Sequence, residues 1–316
     1  MRKFFLTGSV SIVLLASFAH ADESTIRFQT AKPFVAQAGK PDWAKGYTPG
    51  FAFDKDKSIT LSGELLFPKG DGPFPAVVLA HGCSGVGYAG KAWAPLLREW
   101  GYATFAVDSF NPRGFKRVCE DGSRLLPLER TPDVYGALNV VSTHPKIDPN
   151  RIGLMGFSHG GIVTINSSTK WAKDKFAQNG QGYKAFIAVY PYCNVTIPEL
   201  NSITTSLRIH TGELDDWTPA KPCEQHVNTL KASNQDAEIS IYPNAHHAFD
   251  DPSEKLFYGA KLSSAAKCWW SADVLGGPMT ITPASCWTNG ATVGNNPAAM
   301  ALARQNVRAE LDQLLK

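Results

Sequence analysis

The chain has 316 residues, with 31 Lys and Arg against 28 Asp and Glu, for a formal net charge of +3. That near balance gives no reason to expect an electrostatic binder of nucleic acid or of a membrane surface, and the length suits one large domain or two small ones with ample core. Six cysteines in no CxxC spacing point to the disulfides of an exported protein and away from a zinc site.

The first 21 residues have the three parts of a secretory signal. Arg2 and Lys3 form the basic region, Phe4 to Phe18 are largely apolar, and Ala19-His20-Ala21 is a small-x-small cleavage site. The expected mature chain starts at Asp22 and carries a net charge of about +1. No stop-transfer pattern follows, so stable membrane insertion is not expected. Residues 22–57, rich in Gly, Pro, Lys and aromatics, read as an extended arm over the surface.

From residue 58 onward, strand and helix signals alternate. Residues 58–68 have strand character, and 75–80 (PAVVLA) form a short continuous apolar run, as a buried parallel strand does. Residues 91–101 predict a helix stopped by Gly101, and 102–108 predict the next strand. Residues 131–142 predict a helix with Thr131 as cap and Pro132 at the first helical position. Further strands are expected at 151–156, 185–190, 206–211 and 238–242. Helices are expected from Ser158, over 220–232, and at the C-terminus through Val307, Leu311, Leu314 and Leu315. The alternation predicts an α/β fold with a mostly parallel sheet covered by helices on both faces. Residues 260–297 break the pattern, carry Cys268, Cys286 and three tryptophans, and read as an inserted cap or loop.

In such a sheet ligands bind beyond the C-terminal strand ends. Gly156-Phe157-Ser158-His159-Gly160 lies at one of these, a G-x-S-x-G pattern between a strand and a helix. A nucleophile on so sharp a turn needs glycines where side chains would collide, and the helix start behind it favours developing negative charge. A serine hydroxyl also needs a base. His247, on the loop after strand 238–242, is the candidate; His246, His81 and His159 are rivals, and His210 reads as structural. The base needs a carboxylate, and Asp215 or Asp216 after strand 206–211 gives the chain order Ser, Asp, His of α/β-hydrolases. The backbone N–H groups of His159 and, from the loop HGCSG, of Cys83 are the expected oxyanion donors.

The segments LAHGCSG, DSFNPRGF, RIGLMGFSHGG, GELDDWTPA and YPNAHHAFD, over roughly 58–259, resemble the dienelactone hydrolase family of α/β-hydrolases. The resemblance implies an α/β-hydrolase fold and a small ester or lactone as substrate, with no cofactor and no metal. It also implies Ser158 as nucleophile, Asp215 over Asp216 and His247 over His246. Arg113 in NPRGF resembles an arginine that helps bind a substrate carboxylate; a loop salt bridge or backbone hydrogen bonds are the other reading. Trp217, Tyr88, Phe110 and Tyr192 lie beside the motifs as candidate pocket residues. Two departures, a serine in place of the family's cysteine and His81-Gly82 in place of its glutamate, turn the expectation toward a conventional serine esterase. A peptidase of similar fold and a non-catalytic binding protein on the same scaffold are the alternatives. With the strands so placed, the expected disulfides are Cys193–Cys223, Cys83–Cys119 and Cys268–Cys286.

Overall fold

A computed structural model describes residues 24–36, 47–48, 50–87 and 89–316. The expected leader, much of the expected arm and Tyr88 lie outside the described residues. An eight-stranded sheet organises the molecule. Its strands are β1 (Thr25–Gln29), β2 (Thr60–Leu66), β3 (Phe74–Ala80), β4 (Ala103–Asp108), β5 (Ile147–Phe157), β6 (Ala185–Val189), β7 (Leu207–Gly212) and β8 (Ala237–Tyr242). They lie in the order β1-β2-β4-β3-β5-β6-β7-β8. Strand β2 runs antiparallel to both its neighbours, and from β4 to β8 every pairing is parallel.

Buried strands should read as continuous apolar runs whose alternate residues serve opposite faces. In β3, Ala76, Val78 and Ala80 belong to one core while Val77 and Leu79 belong to the other. The first core is covered by α2 (Thr131–Val141), α3 (His159–Ser168), α4 (Lys170–Phe176) and α5 (Ala220–Ala232), through residues such as Leu138, Val163, Phe176 and Val227. The second is covered by α1 (Ala94–Glu99) and α6 (Pro297–Leu315), through Leu97, Val307 and Leu311. The chain leaves β3 in one direction to β4 and returns past it to β5, so a crevice opens at the carboxyl ends of β3 and β5.

Three local expectations change. Thr25–Gln29, within the stretch expected as a surface arm, adds an edge strand to the sheet. Thr131 does not cap α2: a 3₁₀ turn, Pro127–Arg130, leads straight into the helix and leaves Arg130 as the residue before it. The helix expected at 91–101 is α-helical only from Ala94, because a π-helical turn, Ala89–Trp93, precedes it.

Where 260–297 was expected to depart from the alternating pattern, the chain makes short ribbons. Ser263–Ser264 pairs with Thr288–Asn289, and Trp269–Ser271 with Met279–Thr282. The latter ribbon also pairs with Val195–Thr196 and Tyr47–Thr48 in a separate four-stranded sheet. This segment lies over the carboxyl ends of the main strands, where Ser263 N donates to Cys119 O at 3.0 Å and Trp270 N to Asn194 O at 2.9 Å.

Candidate active site

Ser158 follows β5 and precedes the first turn of α3, with φ 52° and ψ −114°. L-residues avoid this region, and such a conformation persists only where its surroundings enforce it. The two flanking glycines do so. A Cβ on Gly156 would overlap the Gly160 carbonyl, and one on Gly160 would overlap the Ala80 carbonyl of β3. The elbow is thus pressed against the neighbouring strand, which the pairing Ala80↔Gly156 sets beside it.

The loops after β7 and β8 bring the other groups to the same rim. His247 Nε2 lies 2.9 Å from Ser158 Oγ, and His247 Nδ1 lies 2.8 Å from Asp215 Oδ2. Asp215 is 5 % exposed and His247 2 %. The second carboxylate oxygen accepts from the backbone N–H groups of Trp217 and Thr218, at 3.0 and 2.8 Å. These bonds to the i+2 and i+3 amides fix the carboxylate before it meets the imidazole. The His247 ring lies between Tyr190 and Trp217, with centroids 4.6 and 4.8 Å away. A hydroxyl facing an imidazole that a buried carboxylate orients is an arrangement competent for nucleophilic catalysis.

The rivals are placed elsewhere. Asp216 accepts from Thr292 N and Thr292 Oγ1, at 2.7 and 2.8 Å, and so pins the overlying segment. His81 is buried and held well below its usual pKa, first by desolvation and then by the Arg130 charge. His159 is pushed down to about 3 by the same causes in the same order. Its Nδ1 faces Arg130 Nη1 at 2.8 Å, and its Nε2 faces the Leu125 carbonyl at 3.0 Å. Guanidinium only donates, so Nδ1 accepts and Nε2–H donates, and the ring is neutral. Neither His81 nor His159 can serve as base. His210 is structural, bonded to the Tyr242 hydroxyl and Glu310.

The expected oxyanion donors lie beside Ser158. His159 is the first residue of α3, where backbone N–H groups lack intrahelical partners. Cys83 and His159 line the same cavity as Ser158. Gly82, beside Cys83, is close enough that a Cβ on it would stand 3.6 Å from Ser158 Cβ.

Among the candidate pocket residues, Trp217 and Tyr192 line this cavity. The Tyr192 hydroxyl donates to the Ala265 carbonyl at 3.0 Å, and Trp217 Nε1 to the Ser263 carbonyl at 2.9 Å, so both also hold up the overlying segment. Phe110 is fully buried beneath the His81 loop, with its ring centroid 4.3 Å from that of His81, and is absent from the cavity wall. Of the two readings of Arg113, the structure has the salt bridge: its guanidinium makes a bidentate pair with buried Asp133, at 2.8 and 2.9 Å, and donates to the Ser109 carbonyl at 2.7 Å. Occupied in this way, it is a fold contact and not a carboxylate receptor at the site.

Sequence reasoning passed over two groups. Thr218 Oγ1 lies 3.0 Å from Asp215 Oδ2, from His247 Nδ1 and from the Tyr190 carbonyl, and so locks acid and base together. Its signal was present: a Thr three residues after the acid, in the Asx-turn register. Arg130 has no such signal, because its partners are distant in sequence. Its Nη1 reaches the His81 carbonyl at 3.0 Å as well as His159, tying the HGC loop to the elbow. Burial lowers its pKa to about 9.

All six cysteines are paired as expected, Cys83–Cys119, Cys193–Cys223 and Cys268–Cys286. Among the described residues no cluster of three or more His, Cys, Asp or Glu could hold a metal ion. No described helix is long and apolar enough to cross a membrane.

A sequence model of the dienelactone hydrolase family matches residues 61–274. A probable 2-oxo-3-(5-oxofuran-2-ylidene)propanoate lactonase of Bradyrhizobium sp is 22% identical over 217 residues, 66% of this chain and 84% of that protein. The acylamino-acid-releasing enzyme of Rattus norvegicus is 24% identical over 215 residues, 56% of this chain. The match spans only 29% of the rat enzyme's length. Among solved structures, a putative dienelactone hydrolase from Klebsiella pneumoniae superposes with a TM-score of 0.59 at 17% identity, over 92% of this chain and 99% of that one.

Proposed function

Since this chain belongs to the dienelactone hydrolase family of carboxylic ester hydrolases, we propose a serine hydrolase that cleaves esters or lactones through an acyl-enzyme on Ser158. Ser158 Oγ attacks the carbonyl carbon as His247 Nε2 takes its proton. Asp215 keeps His247 in the tautomer with Nδ1 protonated and stabilises the imidazolium. The carbonyl oxygen, now negative, meets the N–H groups of His159, at the start of α3, and of Cys83, on the loop after β3. His247 then protonates the departing alcohol. A water replaces it, gives a proton to His247 and attacks the acyl carbon; His247 returns that proton to Ser158 Oγ as the acid leaves.

The observation that carries this reading is the continuous contact from Ser158 Oγ through His247 to Asp215, at 2.9 and 2.8 Å. A fluorophosphonate probe tests it: the adduct should map to Ser158 by mass spectrometry. An unlabelled Ser158 where a control serine esterase reacts would end the reading. The likeness to the rat enzyme motivates one further arm, acyl-peptide anilides run beside p-nitrophenyl acetate. Faster anilide cleavage would move the chain to the peptidases.

We also read residues 1–21 as a leader removed on export. Three disulfides fit an oxidising compartment, since cytosolic thiol pools keep such pairs reduced. N-terminal sequencing of the exported protein should begin at Asp22.

A further inference from the structure

The cavity beside Ser158, of about 200 Å³, has no charged wall: among the described residues lining it there is no Asp, Glu, Lys or Arg. Its surface is aliphatic and aromatic, with Leu126, Leu128, Ile162, Trp270, Met279 and Trp287 prominent. The two arginines packed behind the elbow are engaged elsewhere. Arg113 is paired with Asp133, and Arg130 lies off the lining, bonded to His159 and stacked on the Phe110 ring at 5.0 Å. Apolar cavities of about 150 Å³ hold benzene, so this one admits an aromatic ring or a chain of similar bulk.

The cavity is elongated along α3. His159, Ile162 and Asn166 line it at i, i+3 and i+7 of that helix, one face running about 10 Å from the nucleophile. Most polar side chains on the wall are already bonded. Thr218 holds Asp215 and His247, Tyr192 holds the Ala265 carbonyl, Ser263 accepts from Trp287, and His159 is held at both ring nitrogens. Asn166 differs. It is 8 % exposed, faces the cavity, and its carboxamide is engaged by no other group among the described residues. Such an amide is open to a hydrogen bond from whatever occupies the cavity.

Resting on the ester-hydrolase reading of Ser158, we infer that the substrate places an uncharged, elongated, apolar group in this cavity, with one hydrogen-bonding function at its far end that meets Asn166. A carboxylate there would lose its hydration and find no counter-charge, so acid-bearing groups are rejected. The roof residues Leu275, Met279 and Trp287 lie beyond the stretch matched by the family model, whereas Ile162, Asn166 and Trp270 lie within it.

The test uses the whole exported protein and two ester series, one varying the acyl group on p-nitrophenol, the other varying the alcohol on acetate. Each contains a phenylpropyl-type group and a carboxylate-ended group of equal length. In at least one series the neutral aromatic member should exceed its carboxylate counterpart in kcat/KM by about 100-fold. A margin below tenfold in both series overturns the inference. Asn166→Leu should reduce the preference for a 4-hydroxyphenylpropyl over a phenylpropyl group by about fivefold in the favoured series, and an unchanged ratio removes Asn166 from the assignment. Asn166→Ser gives a second reading should the leucine variant not fold. Fluorophosphonate labelling separates the two levels. No label on Ser158 defeats the proposed function itself, whereas a labelled enzyme that prefers the charged esters defeats only this inference.

Discussion

At the rim of the sheet Ser158, Asp215 and His247 all follow the carboxyl ends of sheet strands; above it, the segment from Phe257 to Val293 is held mostly by short ribbons and one disulfide. The rim is over-determined. Ser158 is fixed by two glycines that admit no Cβ, Asp215 by two backbone amides and a hydroxyl, and His247 by two aromatic rings. The overlying segment is joined to itself by two- to four-residue strands and Cys268–Cys286, and it leaves Phe257 and Tyr258 on the surface, 45% and 63% exposed. The difference separates two tasks. A reacting constellation tolerates errors of only a fraction of an ångström and belongs on rigid elements. A wall that selects substrates needs shape and apolar surface, which a stapled loop supplies.

The comparison breaks first if the chemistry is not at the rim. Ser158→Ala should lower kcat for p-nitrophenyl acetate by about 10⁶-fold, with a thermal unfolding midpoint close to that of the parent. Asp215→Asn should lower it by about 10⁴-fold, because the amide holds the wrong tautomer of His247. Asp216→Asn should change it by less than about tenfold, since that side chain anchors Thr292 and touches no reacting group. Steady-state kinetics on the three purified variants ranks them, and a larger loss at Asp216 would reassign the acid.

The two regions were not equally legible in the sequence. Gly156 and Gly160 can be read as elbow glycines because a local steric rule requires them. The strand–helix alternation likewise reveals the sheet, since buried strands are short apolar runs. Asp215 could be separated from Asp216 only by resemblance, because both stand in the same turn. Arg113 stayed open between two readings: its loop position matches a ligand-binding arginine, but its partner, Asp133, lies 20 residues away in a helix whose burial no local pattern discloses. Thr131 misled for a related reason, as the preceding 3₁₀ turn already supplies the helix start. Of the roof, composition revealed only that the pattern was interrupted. Its contacts with Val195, Phe51 and Tyr192 are tertiary, and no periodicity encodes them.

The roof can be loosened without touching the rim. Replacing Cys268 and Cys286 together by serine opens a loop closed across a sequence separation of 18 residues. The chain-entropy argument gives a loss of about 3 kcal/mol if unfolding stays cooperative. Urea unfolding should show that loss, and hydrogen exchange should rise within 263–293. Turnover of p-nitrophenyl acetate at a temperature where the variant is folded should stay within about tenfold, because neither cysteine lines the cavity or meets the reacting groups. A collapse of acetate turnover in folded protein would join the two regions that the structure separates.

The smallest effect sharpens the comparison through pH. The overlying segment contains no histidine, whereas His81 and His159 are buried beneath the rim against the Arg130 guanidinium. Both fold as neutral rings with pKa values below the unfolded 6.5, that of His159 at about 3. The unfolded chain therefore binds more protons across this window. The stability these rings contribute is fully present above pH 6.5 and is lost as pH falls toward 3, by up to about 1.4 kcal/mol per pH unit for each. Protonating His159 Nδ1 would also turn its bond with Arg130 into a contact of two cations. Urea midpoints measured from pH 7 to pH 4 should fall accordingly, and His159→Asn should flatten the slope by about one proton. An unaltered slope in that variant would mean that His159 does not carry the acid sensitivity, and that the rim is held by something other than its neutral imidazole.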